Sequence, residues 1–201
     1  NDVFPLYAQA DIVSSSDKRN QAIQEDLINN LNGVVHILNL AIQQGPFPLL
    51  QQYRMLAERN IRDVRDNFSS NDESRIVEWM QSDIHPLFYQ LRGKYPELSS
   101  AIAAYFSKLD VELGIIYEGR RRYEDSVKRL NNRIAGYLED QQKDAQHIIP
   151  HYFERYKTDG VEYEIYVGQS MLNKHQFSYM HLKNLRLWQL IDLCNITRLV
   201  D

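Results

Sequence analysis

The sequence predicts a mainly α protein: a multi-helix bundle with one very long helix and a small two-stranded β element. Apolar residues recur every three or four positions along most of the chain, the period of an α-helix face. One such pattern runs unusually far, from about Leu113 toward Pro150. Residues 161–167 alternate in the manner of a strand, and residues 3–13 are the only other strand-like stretch.

Taken in order, residues 3–13 are aromatic and β-branched, with Pro5 near the front, and read as an extended lead-in. Ser14, Ser15, Ser16 and Asp17 offer N-cap oxygens to a run through Ile23, Leu27, Leu31, Val34, Leu38 and Ile42. Gly45-Pro46-Phe47-Pro48 ends that helix, because glycine accepts the left-handed cap and proline cannot continue the turn. So short a loop sends the next helix back antiparallel. That helix carries Leu49, Tyr53, Leu56, Ile61, Val64 and Phe68, and a third, capped by Ser70 or Asp72, carries Ile76, Trp79, Met80 and Ile84. Pro86 should kink or break the third. Pro96 and Glu97 suit the first turn of a fourth, through Ile102, Tyr105, Phe106 and Leu109.

In the very long stretch, Tyr123, Val127, Leu130, Ile134 and Tyr137 alternate spacings of four and three, the seam of a bundle or coiled coil. It turns polar over 139–144 and resumes with Ile148, Ile149, Tyr152 and Phe153, bent at Pro150. Thr158-Asp159-Gly160 signals a turn into the strand 161–167. A lone strand is unstable in water, so residues 3–13 are its expected partner. The last helix spans about 177–199. Its apolar residues Leu182, Leu185, Leu187, Trp188, Leu190, Ile191 and Ile196 surround most of the circumference, which predicts a central helix or one facing a further partner.

Composition narrows the function classes. Of 201 residues, 43% are hydrophobic and 25% charged, the range of a chain that buries a core. The net charge of −4 lacks the basic footprint of a nucleic-acid binder. Cys194 is the single cysteine, which precludes an internal disulfide and fits a reducing, cytoplasmic setting. The longest apolar stretch, around 31–42, is interrupted by Asn32, His36 and Asn39, so no membrane span is expected. Residues 1–5 have neither the basic nor the apolar region of a signal peptide, and the chain lacks an initiating Met. It reads as a single helical domain over 1–201, a fragment of a larger protein.

Asp144, His147, His151 and Glu154 form the most suggestive constellation. Spacings of three, four and three put them on one helix face, and all are ligand types for zinc or iron. A di-iron bundle needs an acidic-x-x-His unit from each of two helices, and only Asp144 with His147 forms one. A solvated helix face is the plainer reading, and no cofactor is expected. His36, within an apolar run, reads as a satisfied core histidine or else an axial haem ligand. His85 marks the Pro86 kink, while His175 and His181 look like surface or capping residues beside the last helix. Arg120-Arg121-Arg122 could receive a phosphate or an acidic partner, although Glu118, Glu124 and Asp125 balance it. Ser15-x-x-Lys18 lacks the companion motifs of penicillin-binding enzymes. Gly-rich phosphate loops and H-E-x-x-H are absent. Cys194, beside Leu193, Ile191 and Ile196, reads as a small buried hydrophobe.

Residues 150–163 interleave aromatics with charges, which suits either a binding surface or a bundle end where tyrosine hydroxyls reach water. Pro150-His151-Tyr152-Phe153-Glu154-Arg155-Tyr156-Lys157-Thr158-Asp159-Gly160-Val161-Glu162-Tyr163, with Ile165-Tyr166-Val167-Gly168-Gln169-Ser170, resembles a segment of long bacterial GAF-domain-containing proteins of the signal-transduction class. The opening Pro5-Leu6-Tyr7-Ala8-Gln9-Ala10-Asp11-Ile12, with Ser15, Ser16, Arg19 and Asn20, is similar too. The resemblance implies a helical module within a signalling protein. The chain does not itself read as a GAF domain, which needs several strands around a ligand pocket, so the resemblance assigns no cofactor-binding residue. The resulting expectation is a non-catalytic regulatory or interaction module. It would self-associate as a homodimer, through the long helix or the last one, or pair with other domains of its chain. The alternative is a metal- or haem-binding sensor or oxidase-like bundle.

Overall fold

Helical periodicity governs most of the chain in the computed structural model, which describes residues 3–156, 158, 160–172 and 176–200. The elements run β1 (Val3–Asp11), α1 (Ser15–Ile42), α2 (Pro48–Asp66), α3 (Ser70–Trp79), a π-turn (Met80–Ile84), α4 (His85–Lys94), a 3-10 turn (Pro96–Leu98), α5 (Ser99–Phe106), α6 (Glu118–Ile148), β2 (Tyr152–Tyr156), β3 (Gly160–Gly168), a 3-10 turn (Gln169–Met171) and α7 (Tyr179–Val200). The architecture is mainly α, as the periodicity predicts. Among the described residues no helix is long and apolar enough to cross a membrane. Two compact units emerge, Ser16–Tyr123 and the combination of Asn1–Ser15 with Glu124–Asp201.

In the unit Ser16–Tyr123, the predicted stripe of α1 is the core: Ile23, Leu27, Leu31, Val34 and Leu38 are buried, with Ile42 packed at the edge. Against it pack Ala57 and Val64 of α2, Ile76 of α3, Met80 and Ile84 of the π-turn, Phe88 of α4, and Ile102 and Tyr105 of α5. Gln24 Nε2 donates to Val64 O at 3.2 Å, so the start of α1 meets the end of α2 and the pair is antiparallel. Gly33 lets α1 approach α5 closely, since a Cβ there would lie 2.8 Å from the Tyr105 ring.

Pro86 neither breaks nor ends the helix. The His85 N–H reaches back five residues to Met80 O, and this wider turn places Pro86 in the first turn of α4. The long helix starts later than the periodicity suggests. Asp110 closes the loop before it, accepting the N–H groups of Glu112 at 3.0 Å and Leu113 at 3.1 Å. Gly114 takes the positive φ of 64° that this tight turn requires. The first turn of α6 is capped from α1: Asp26 accepts Gly119 N–H at 2.8 Å and Arg120 N–H at 2.9 Å. One turn along α1, Asn30 grips Ile116 at both backbone groups, accepting its N–H at 2.9 Å and donating to its carbonyl at 3.3 Å.

In the other unit, β1 and β3 pair antiparallel from Val3 opposite Gly168 to Asp11 opposite Gly160, the expected partnership. Among the described residues the sheet has three strands, not two, in the order β1-β3-β2. The helical resumption expected beyond Pro150 is replaced by β2, paired with β3 from Tyr152–Tyr166 to Tyr156–Glu162. Proline removes a donor and pushes the residue before it toward extended backbone, so α6 stops at Ile148. On β3, Val161, Tyr163, Ile165 and Val167 face inward. They pack with Leu6 and Ala8 of β1, Ile134, Leu138 and Ala145 of α6, and Leu182, Leu185 and Ile196 of α7. The seam expected to recruit a second copy is thus largely internal, with Ile134 buried and Leu130 and Tyr137 packed on the same core. Asp159 of the turn signal and His175 lie outside the described residues.

Candidate functional site

The predicted metal-ligand types do not share a helix face, because α6 ends first. Asp144 and His147 are exposed on its last turns, and Glu154 is exposed on β2 opposite Glu164. His151 lies beyond the helix with 8% of its surface exposed, its Nδ1 2.8 Å from Ile149 O. Burial lowers its pKa, although the bond to Ile149 opposes that, and the neutral imidazole is favoured. Among the described residues no three His, Cys, Asp or Glu side chains gather as a metal-ion site.

The other singled-out residues are also placed. His36 is exposed on α1 rather than held in the core, because the helical period turns it away from the Leu31–Leu38 stripe. His85 is half-buried, with Nε2 3.2 Å from the Tyr105 hydroxyl, and burial lowers its pKa. His181 Nδ1 accepts the Ser178 N–H at 3.1 Å before α7, a capping role. Arg120 pairs with Glu73 at 2.7 Å and lies over the Tyr117 ring, while Arg121 pairs with Asp110 at 2.6 Å. Those two guanidiniums are committed within the chain.

The aromatic and charged stretch 150–163 supplies part of the sheet's outer face. Tyr7 donates to Glu162 at 3.0 Å and Tyr156 to Glu164 at 3.1 Å, and Tyr166 also donates to Glu164. Burial and the neighbouring carboxylates push the Tyr156 phenol up to about 12.

Helix α7 presents two contrasting sides. Inward, Leu182, Leu185, Gln189, Asp192 and Ile196 are buried at spacings of three and four. Roughly half a turn around, Met180 is 64% exposed, Leu187 57%, Leu190 58% and Ile191 50%. Cys194 is exposed on the same side, not buried as its neighbours suggest. Two polar side chains thus face the interior while four large apolar ones face solvent.

The buried polar residues form a cluster. Asp192 is 1% exposed; its Oδ1 accepts the Tyr137 hydroxyl at 3.1 Å, and Asn195 Nδ2 donates to that hydroxyl at 3.0 Å. Asp192 Oδ2, the Tyr163 hydroxyl and Gln189 Nε2 are neighbours outside hydrogen-bond geometry. Burial pushes the Asp192 carboxyl up to about 6, against the opposing effect of the Tyr137 hydrogen bond. Burial also raises the Tyr163 phenol, reinforced by the negative charge of Asp192.

The unit Ser16–Tyr123 contains a groove of about 840 Å³, within the size range of ligand pockets. One wall consists of two rows at four-residue spacing along α3 and the π-turn: Glu73, Val77 and Gln81, then Ser74, Glu78 and Ser82. Glu112, Leu113, Ile115, Tyr117 and Arg120 complete the lining. Gln81 Nε2 donates to Leu113 O at 2.8 Å and ties the walls together. The π-turn's wider winding sets where Gln81 and Ser82 project, a device frequent at functional sites. Sequence period gives no sign of this groove, because four of its eleven lining residues come from a loop. No family model, curated protein or solved structure matches this chain.

Proposed function

We propose that this chain is a non-catalytic regulatory and interaction module of a larger bacterial signalling protein, and that it self-associates through the outward side of α7. The observation carrying this reading is the inverted composition of that helix. Burying Gln189 and Asp192 while exposing Met180, Leu187, Leu190 and Ile191 opposes simple hydrophobic sorting. Contiguous exposed apolar surface of this kind marks interaction sites. The spacing of Leu187, Leu190, Ile191 and Cys194 is that of a helix-packing seam. A second copy is the default occupant, since closed two-fold dimers are the commonest soluble oligomers. Signalling is the context suggested by the resemblance of residues 150–170 to GAF-domain-containing bacterial proteins.

Sedimentation equilibrium on Leu187→Glu combined with Leu190→Glu tests the reading. The unsubstituted chain should sediment as a dimer and the variant as a monomer with unchanged helicity. A dimer that survives both substitutions rules out α7 as the interface.

A further inference from the structure

Beyond self-association, we propose that the groove between α3 and the loop preceding α6 is a docking site for a basic, amphipathic helical segment of a partner protein. Its chemistry is divided in the way such a ligand requires. Val77, Leu113, Ile115 and Tyr117 supply apolar surface, and Leu113 is 42% exposed despite its size. Glu78 and Glu112 are exposed, and neither carboxylate has a partner among the described residues. Glu73 is already paired with Arg120, so two uncompensated negative charges remain on the lining.

The wall built from α3 and the π-turn has the geometry for a helix. Rows four residues apart form the ridges between which a second helix packs. Amphipathic helices dock in such grooves through apolar anchors at helical spacing, with their charges at the rim. The opposite wall is held in place before binding: Asp110 fixes the backbone of Glu112 and Leu113, Gln81 holds the Leu113 carbonyl, and Asn30 grips Ile116. A preformed wall leaves less ordering to oppose association. Charge complementarity selects a cationic segment, and with a net charge of −4 the chain is a poor partner for another copy of itself here.

The test uses a fluorescein-labelled peptide of leucine and lysine, about 14 residues or four helical turns long, and a control with glutamate in place of lysine. Anisotropy with the full chain should show saturable binding of the lysine peptide, at least ~10-fold tighter than the glutamate peptide. Glu78→Lys with Glu112→Lys should weaken it by a further factor of about ten or more. Reversing two exposed charges elsewhere, Glu139→Lys with Asp140→Lys, should leave it nearly unchanged. Amide chemical-shift changes should fall on residues 73–82 and 112–120. Leu187→Glu with Leu190→Glu, which tests self-association, should not alter the peptide's affinity. Absence of saturable binding, equal affinity for both peptides, equal loss from both charge-reversal pairs, or shifts confined to α7 would each overturn the proposal.

Discussion

Replacing Asp192 by Asn should stabilise the protein at neutral pH. The carboxyl is 1% exposed, one of its oxygens has no hydrogen-bond partner among the described residues, and burial pushes its pKa from 3.8 to about 6. Because the folded-state value is the higher one, the native chain holds the proton more tightly than the unfolded chain does. The stabilisation from that proton is complete below the unfolded value and is lost as pH rises through about 6. At about 1.4 kcal/mol for each tenfold change in acidity, the loss is on the order of 3 kcal/mol by pH 7.5. An asparagine keeps an acceptor for the Tyr137 hydroxyl, carries no charge, and has the Tyr163 hydroxyl oxygen within its cluster. Urea denaturation of both proteins between pH 4 and 8 isolates this contribution, since other groups cancel in the difference. The variant should match the parent near pH 4 and exceed it by roughly 2–3 kcal/mol at pH 7.5. A difference that stays flat across the range, or turns against Asn at pH 7.5, refutes the reasoning.

Asp26→Ala should lower stability by about 2 kcal/mol, because it strips the Gly119 and Arg120 N–H groups of their acceptor at the start of α6. Asp26→Asn should cost less, and hydrogen exchange should place the loss of protection at residues 116–121. Chelation with EDTA should leave the melting temperature unchanged, since His151 packs into the core and the other three predicted ligand residues lie apart on α6 and β2. A fall that zinc or iron reverses would restore the metal-sensor reading.

Local regularities were readable from residues alone. The α1 stripe repeats every three or four positions and becomes the core; β3 alternates and buries every second side chain. The apolar encirclement of α7 reads as a central helix or one facing a further partner; the helix packs internally on one side and is exposed on the other. What escaped depends on contacts distant in sequence. Asp26 and Asn30 look like polar residues on an ordinary helix, and only the returning chain 93 residues later turns Asp26 into a cap. Strand β2 leaves no alternation because only Phe153 is partly buried, against Tyr163 at 5.2 Å between ring centroids. The π-turn leaves no period of its own, and Pro86 alone reads as a kink or a break. The ligand face over 144–154 assumed a helix continuing through Pro150, and the turn into β2 disperses it.

The central claim, that the outward side of α7 holds two copies together, is tested most directly by the mass of the unsubstituted chain in solution. Size-exclusion chromatography with light scattering, run from low micromolar to near millimolar concentration, should reach twice the chain mass of 23.7 kDa. A constant 23.7 kDa across that range would contradict self-association and leave the apolar side of α7 without its assigned partner.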